Sequence, residues 1–396
     1  MHPHSWVVVI ALLVAAGLDA QSVAGDWHAF VRNPAGGEVA FRLHLRREGG
    51  KWRGDLVNGA DRVPSTAGYF ADGRLLLSFR DWDGVLEARL ENDVLRGSFL
   101  RRYRKRTLMR EFHASRRETT TGAKPSVNVA GEWMLTAEEE GKSVVYRALL
   151  RQNGARLEGT LIPVSGDWGA MTGVVAGNRI VLSRFDGIRA LLFEASVGAD
   201  GGLAGQLNST YPVSGHRRSE SSTEAPDALQ YTRFRTPRQP FRFSFPDLNG
   251  NLISNNDTRF RNKVLVITIT GSWCPNCHEE APLLRELYER YRRRGLEIVA
   301  LGFEYTGERE RDLRQLRRFA EKHGITYPVL LAGSTEEAEE KLPQLENFGA
   351  YPTTIFVGRD QRVRAIHAGF DGPSTGDLHR QLREEMTSLI EKLLSE

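Results

Sequence analysis

The sequence has little cysteine: two residues in 396, Cys274 and Cys277. An exported chain that relied on cross-links would scatter several pairs through its loops. A disulfide framework is therefore excluded, and the pair points to reactivity. Excess charge is scarce as well. Lysine and arginine total 54 against 50 aspartate and glutamate, a net +4. No nucleic-acid partner is expected, because a domain built for one concentrates its basic charge more than this. Long apolar runs are almost missing. The one at the N-terminus, WVVVIALLVAAG from Trp6 to Gly17, has the length of a signal-peptide core and is short for a bilayer.

That run predicts export. Residues 1–20 are read as a signal peptide cleaved after Ala20, leaving a protein that is periplasmic or otherwise extracytoplasmic and soluble. The alternative is retention as an uncleaved anchor. At 396 residues the chain exceeds one ordinary core, so two or three domains are expected.

The first part of the chain repeats itself. VAGDW at 23–27 returns as VAGEW at 129–133, GYFADGRLLLS at 68–78 as GVVAGNRIVLS at 173–183, and LRGSF at 95–99 as LAGQL at 203–207. An offset near one hundred residues with small drifts marks duplicated units. Within each, apolar and polar residues alternate over short runs such as VAFRLHLRR at 39–47, between turns such as EGG, ADG and QNG. This period predicts antiparallel meanders, closed or nearly closed to protect their edges. Their G-x-W opening loosely resembles that of lipocalin-type barrels, and no ligand function is carried over. The basic run RRYRKR at 101–106 is read as a solvated strand end.

A polar stretch rich in Ser, Arg and Pro follows, and then the pattern changes class. KVLVITI at 263–269 and LEIVALGF at 296–303 are continuous apolar runs expected of buried strands. Cys277–Arg294, Leu313–Phe319 and Leu378–Leu394 have helical spacing, and YPVLLAG, TTIFVG and VRAIHAG supply three more strands. The expected organisation is two β-rich repeat units at 21–118 and 127–213, a linker at 214–239, and an α/β domain at 240–396 with its sheet covered on both faces.

WCPNCH at 273–278 supports two chemistries, a redox dithiol and the attachment of a c-type haem with His278 as axial ligand. A buried strand ahead of the motif and a distant X-Pro-Thr favour the dithiol, with His278 an exposed first-turn residue. Zinc would need further ligands, and no second C-x-x-C or H-x-H pair lies nearby. A cysteine just ahead of a helix has N–H groups and the positive end of the dipole aimed at its sulfur, which favours the thiolate, the attacking species. On this reading Cys274 is the exposed nucleophile, and Cys277 is the shielded thiol that resolves the mixed disulfide.

Residues 240–396, through VLVITI, TGSWCPNC, HEEAP and AYPTTIFV, resemble the thioredoxin superfamily and in particular its TlpA/ResA-like thiol-disulfide oxidoreductases. The resemblance implies a thioredoxin-like α/β C-terminal domain; the two tandem all-β, barrel-like repeat domains expected ahead of it rest on the internal repeat and the period-two alternation. The resemblance also implies a catalytic set of Cys274, Cys277 and Glu280, the last exchanging a proton with Cys277. Glu280 lies three residues after Cys277 on the same helix face; the alternative is a solvated first-turn acid, as expected of Glu279. Pro352 matches the cis-proline loop, so Trp273, Tyr351, Pro352 and Thr353 are expected against the substrate. Where thioredoxins bury a carboxylate, six residues before the first cysteine, this chain has Thr268. The resemblance implies no cofactor or metal, a disulfide-bearing client protein and a membrane-bound dithiol as electron donor. The β units would position the enzyme or recruit its client. The rivals are a scaffold whose β units dock a partner, and a peroxiredoxin-like peroxidase, whose P-x-x-x-T-x-x-C pattern is absent.

Overall fold

The computed structural model describes residues 23–117, 123–219 and 227–396. The expected signal peptide lies outside them. No helix among the described residues is long and apolar enough to cross a membrane.

The first unit is a nine-stranded antiparallel sheet: β1 (Gly25–Arg32), β2 (Glu38–Glu48), β3 (Lys51–Asn58), β4 (Asp61–Pro64), β5 (Ala67–Ala71), β6 (Arg74–Phe79), β7 (Gly84–Glu91), β8 (Val94–Tyr103) and β9 (Arg106–Ser115). Its order, β4-β3-β2-β1-β9-β8-β7-β6-β5, is a meander joined through β1 and β9. Alternation in β2 sends Val39, Phe41, Leu43 and Leu45 into the core and the intervening polar residues outward. The sheet curls until β3 nearly meets β5, where Ser65 bridges the gap by donating its N–H to the Gly54 carbonyl (2.7 Å) and accepting the Gly54 N–H on its hydroxyl (2.9 Å).

The second unit closes fully. Its eight strands are β10 (Gly131–Glu139), β11 (Lys142–Asn153), β12 (Arg156–Ile162), β13 (Met171–Ala176), β14 (Arg179–Phe185), β15 (Ala190–Val197), β16 (Leu203–Leu207) and β17 (Tyr211–Arg217), with β17 pairing back onto β10. Closure leaves no unpaired edge. The last four residues of β17 lie in the stretch read as linker. Only Val213 of its seven residues is buried, so it carries no apolar alternation to announce a strand.

Both units begin with the same clasp. Gly25 (φ +106°) and Gly131 (φ +120°) take a left-handed conformation that glycine adopts without strain. Each turns a buried tryptophan inward, and Trp27 Nε1 and Trp133 Nε1 donate to the carbonyls of Val23 and Val129, each at 2.9 Å. Arg116 and Arg217, from the far end of each unit, lie over those rings at 4.4 and 4.6 Å.

The C-terminal unit has a five-stranded sheet made of β18 (Val264–Thr270), β19 (Leu296–Glu304), β20 (Val329–Ser334), β21 (Thr353–Val357) and β22 (Val363–Ala368), in the order β20-β19-β18-β21-β22. β18, β19 and β20 are parallel, and β21 and β22 are antiparallel. Helices α1 (Pro275–Tyr291), α2 (Arg309–His323) and α3 (Asp377–Ser395) pack on one face through Leu284, Leu316 and Ile390. Phe241, Phe243 and Phe260 cover the other. Every residue of β18 is buried, as a strand sandwiched between two layers requires.

The three units pack tightly. Asn58 and Phe185 exchange two hydrogen bonds between the β units (2.9 and 3.0 Å), and Phe185 completes the core of the first. Asp61 of the first unit pairs with Arg184 of the second (2.5 Å) and accepts from Ser374 of the third (3.5 Å). Most of the run RRYRKR is a solvated strand end, as expected: Arg102, Arg104, Lys105 and Arg106 are exposed where β8 turns into β9, and Arg101 alone of the run is buried. Arg101 is 8% exposed and donates to the Tyr305 hydroxyl at 2.7 Å, while Arg102 and Arg104 pair with Glu308 and Glu336. The acidic partners of Arg102 and Arg104 stand on the C-terminal unit, some two hundred positions away.

Candidate active site

The dithiol sits where β18 gives way to α1. Cys274 is the N-cap of the helix, and its Sγ accepts the Cys277 N–H at 3.2 Å, a cap made by sulfur in place of oxygen. Pro275 follows at the first helical position, where no N–H is needed. Across the site the Tyr351–Pro352 bond is cis, and the Cys274 thiol donates to the Tyr351 carbonyl at 3.2 Å. Cys277 lies one turn along. Both cysteines are free thiols, and both are buried, Cys274 at 3% and Cys277 at 1% exposure. The expected exposed nucleophile is thus covered. Burial and the adjoining Cys274 push the Cys277 thiol well up, partly offset by a hydrogen bond with Thr270.

Glu280 is 2% exposed and lies on the floor beneath the pair. Thr268 donates to its Oε2 at 2.8 Å, and the Thr354 hydroxyl donates to Oε1. Those two threonines are direct partners in the β18–β21 ladder, so the sheet presents a matched pair of hydroxyls to one carboxylate. Burial raises Glu280 to about 7, against which the two hydroxyls work. Thr268 therefore holds the acid at the place where a carboxylate was expected to be missing.

Trp273 walls one side, its Nε1 donating to the Phe303 carbonyl at 2.8 Å and its ring lying 5.3 Å from Tyr305 and 5.1 Å from Tyr351. Pro352 and Thr353 are buried, and the Thr353 hydroxyl donates to the Ala350 carbonyl at 2.8 Å. The structure brings all seven expected residues to one locality.

Several neighbours were not expected. His278 is wedged between Trp82 of the first unit (4.5 Å) and Phe319 (4.8 Å), with Nε2 against the Ser272 carbonyl and Nδ1 against His323 Nε2, both at 2.8 Å. Burial pushes His278 well down and His323 down to about 4, so both are neutral at pH 7. With both ring nitrogens engaged, His278 has none free for a haem iron. Glu279 is not solvated: it packs against the second unit beside Asp167, and burial together with that acid raises it to about 8. Glu304 accepts the Ser272 N–H (2.7 Å) and hydroxyl (2.8 Å), fixing the turn ahead of Trp273. Arg311 joins Glu304 (3.0 Å) to Asp83 of the first unit (2.6 Å). Burial still carries Glu304 up to about 7, because one guanidinium serves three carboxylates. No local pattern marks Trp82, Asp83 or Asp167 as partners, since each comes from a distant part of the chain.

A parallel-centred sheet with a dithiol at the start of a helix, facing a cis-proline loop, defines a thioredoxin-superfamily domain. The AhpC/TSA family model matches residues 238–366. Thiol-disulfide oxidoreductase ResA of Geobacillus kaustophilus is 29% identical over 127 residues, 32% of this chain and 66% of the relative. ResA of Halalkalibacterium halodurans is 26% identical over 158 residues, 39% of this chain and 77% of the relative. The chain thus spans about two thirds of the length of the curated relatives it matches. Among solved structures it is similar to a secreted thiol-disulfide isomerase from Corynebacterium glutamicum, with 18% identity over 44% of this chain and 98% of that chain and a TM-score of 0.33. Within the superfamily, the C-terminal domain is TlpA/ResA-like.

Proposed function

We propose that the protein is an exported thiol-disulfide oxidoreductase that reduces protein disulfides through Cys274 and Cys277. The observation that carries this reading is the position of Cys274 Sγ, between the Cys277 N–H and the Tyr351 carbonyl, each at 3.2 Å. The first contact stabilises negative charge on sulfur. The second stands where a client backbone would lie beside the cis-proline loop.

Cys274, as thiolate, attacks one sulfur of a client disulfide. The client S–S bond breaks, a mixed disulfide forms, and the departing client thiolate takes a proton. Cys277 then loses its proton and attacks Cys274 Sγ, releasing the second client thiol and leaving an intramolecular disulfide. Two electrons have passed to the client. Glu280, with its affinity for a proton near neutral pH, accepts the Cys277 proton in this step. Trp273, Tyr351, Pro352 and Thr353 flank the client. Return to the dithiol needs two electrons from a membrane-bound dithiol donor in an oxidising compartment. The domain plan is two β units at 21–118 and 127–217, the second extended past 213 to include all of β17, and a catalytic domain at 240–396, with the β units positioning the enzyme or recruiting the client.

The test is insulin disulfide reduction with a dithiol supplied. The wild type is expected to be active, Cys274→Ser inactive, and Cys277→Ser arrested as a covalent mixed disulfide recoverable on a non-reducing gel. Reduction by Cys274→Ser at the wild-type rate would overturn the reading and leave the chain a scaffold.

A further inference from the structure

The residue between the cysteines on the helix side is held from outside its own unit. Asn276 is 4% exposed, and its side-chain amide is engaged at both ends. Nδ2 donates to the carbonyls of Asp167 (2.9 Å) and Phe370 (3.1 Å), and Oδ1 accepts from Arg189 Nη1 (3.2 Å). Asp167 lies between β12 and β13, and Arg189 between β14 and β15, so two of the three partners belong to the closed barrel of the second unit.

Both partners are themselves fixed. Arg189 Nε is tied to the buried Asp186 at 3.0 Å, and Asp186 is shared with Arg184. Asp167 accepts the Gly372 N–H at 2.7 Å and the Gly169 N–H at 2.9 Å. Backbone presses close here: a Cβ on Gly166 would stand 2.6 Å from both Asn276 Nδ2 and the Phe370 carbonyl oxygen.

We infer that Arg189 and the loop carrying Asp167 are positioning residues of the dithiol. Acting through Asn276, they pin the first turn of α1 in the geometry of the two free thiols and bias the thiol-disulfide equilibrium toward the dithiol. This deepens the reading under Proposed function and rests on it. The cysteines are the N-cap and the third residue of the first turn, with Asn276 directly before the second. Closing the disulfide draws the two sulfurs to about 2.05 Å. That displacement falls on the turn Asn276 anchors, so an anchor fitted to the dithiol opposes oxidation. A hydrogen bond from a charged donor is among the stronger contacts available for the purpose. The barrel of the second unit is thereby part of the working site and tunes its potential.

The experiment equilibrates the full-length protein with glutathione and glutathione disulfide. Two thiol protons and two electrons pass to glutathione disulfide, giving one intramolecular S–S bond and two glutathione thiols. Arg189→Ala is expected to raise the equilibrium constant for oxidation about tenfold, which makes the potential about 30 mV more negative. Arg189→Lys, which keeps a charged donor, is expected to recover part of the shift. Asn276→Ala is expected to match or exceed Arg189→Ala, and the double variant to go no further than Asn276→Ala alone. A purely structural role would lower the thermal midpoint and leave the equilibrium constant unchanged. An unchanged constant in either folded single variant, a shift of opposite sign, or additive effects overturn the inference while the proposed function stands. Failure of the wild type to exchange with glutathione at all overturns both.

Discussion

Glu280→Gln isolates the acid beneath the dithiol. Its carboxyl stands at about 7 in the folded protein against an ordinary 4.5. At 1.36 kcal/mol per unit, ionising it in place costs about 3 kcal/mol more than ionising it in water. The sign follows from proton counting. Between pH 4.5 and 7 the folded state keeps a proton that the unfolded chain has released, so stability falls as pH rises through that window and levels off above it. Glutamine removes the titration and keeps the shape: its Oε1 accepts from one threonine hydroxyl and its Nε2 donates to the other. Urea unfolding at pH 5 and pH 8 is expected to show a wild type that loses about 2–3 kcal/mol more than Glu280→Gln over the interval. At pH 8 the variant is the more stable protein. It is also expected to be the slower enzyme, because the Cys277 proton has lost its acceptor, and the mixed disulfide should accumulate. Equal pH slopes in the two proteins would refute the assignment of this titration to Glu280.

Two further outcomes test the packing. Arg101→Ala strands the Tyr305 hydroxyl at the interface between the first and third units and is expected to cost about 1–3 kcal/mol, read from the urea midpoint; Arg101→Ala with Tyr305→Phe should recover part of that loss. Gly173→Ala places a methyl group against the Val181 carbonyl oxygen across the β13–β14 ladder, so the barrel cannot close unchanged, and loss of the folded circular-dichroism signal or a sharply lower thermal midpoint is expected.

What could be seen in the sequence was what chemistry and periodicity write locally. The dithiol, the distant YPTT, the apolar strand ahead of them and the i+3 placement of Glu280 all lie within short windows. The TlpA/ResA-like domain and the all-β character of the first two hundred residues follow from such windows. Pairing across the sheet is not local. Thr268 looked like the loss of a carboxylate, and only the register that sets it opposite Thr354 shows it holding Glu280. His278 and Glu279 read as first-turn surface residues because helical spacing carries no notice of Trp82 or Asp167 arriving from other units. Arg101 departs from the rest of its basic run for the same reason, since nothing near it in the sequence announces the Tyr305 hydroxyl that receives its guanidinium. The end of β17 was hidden by composition, with one fully buried side chain in the strand's seven residues.

The carboxylate of Asp61 touches all three units at once, meeting Arg184 in the second and Ser374 in the third. A joint of that kind makes the molecule behave as masonry around a keystone: loosening any block strips partners from the other two. Heat should therefore bring the assembly down in a single collapse, and a catalytic domain cut free of its neighbours would carry away a wide raw face that was never meant to meet water.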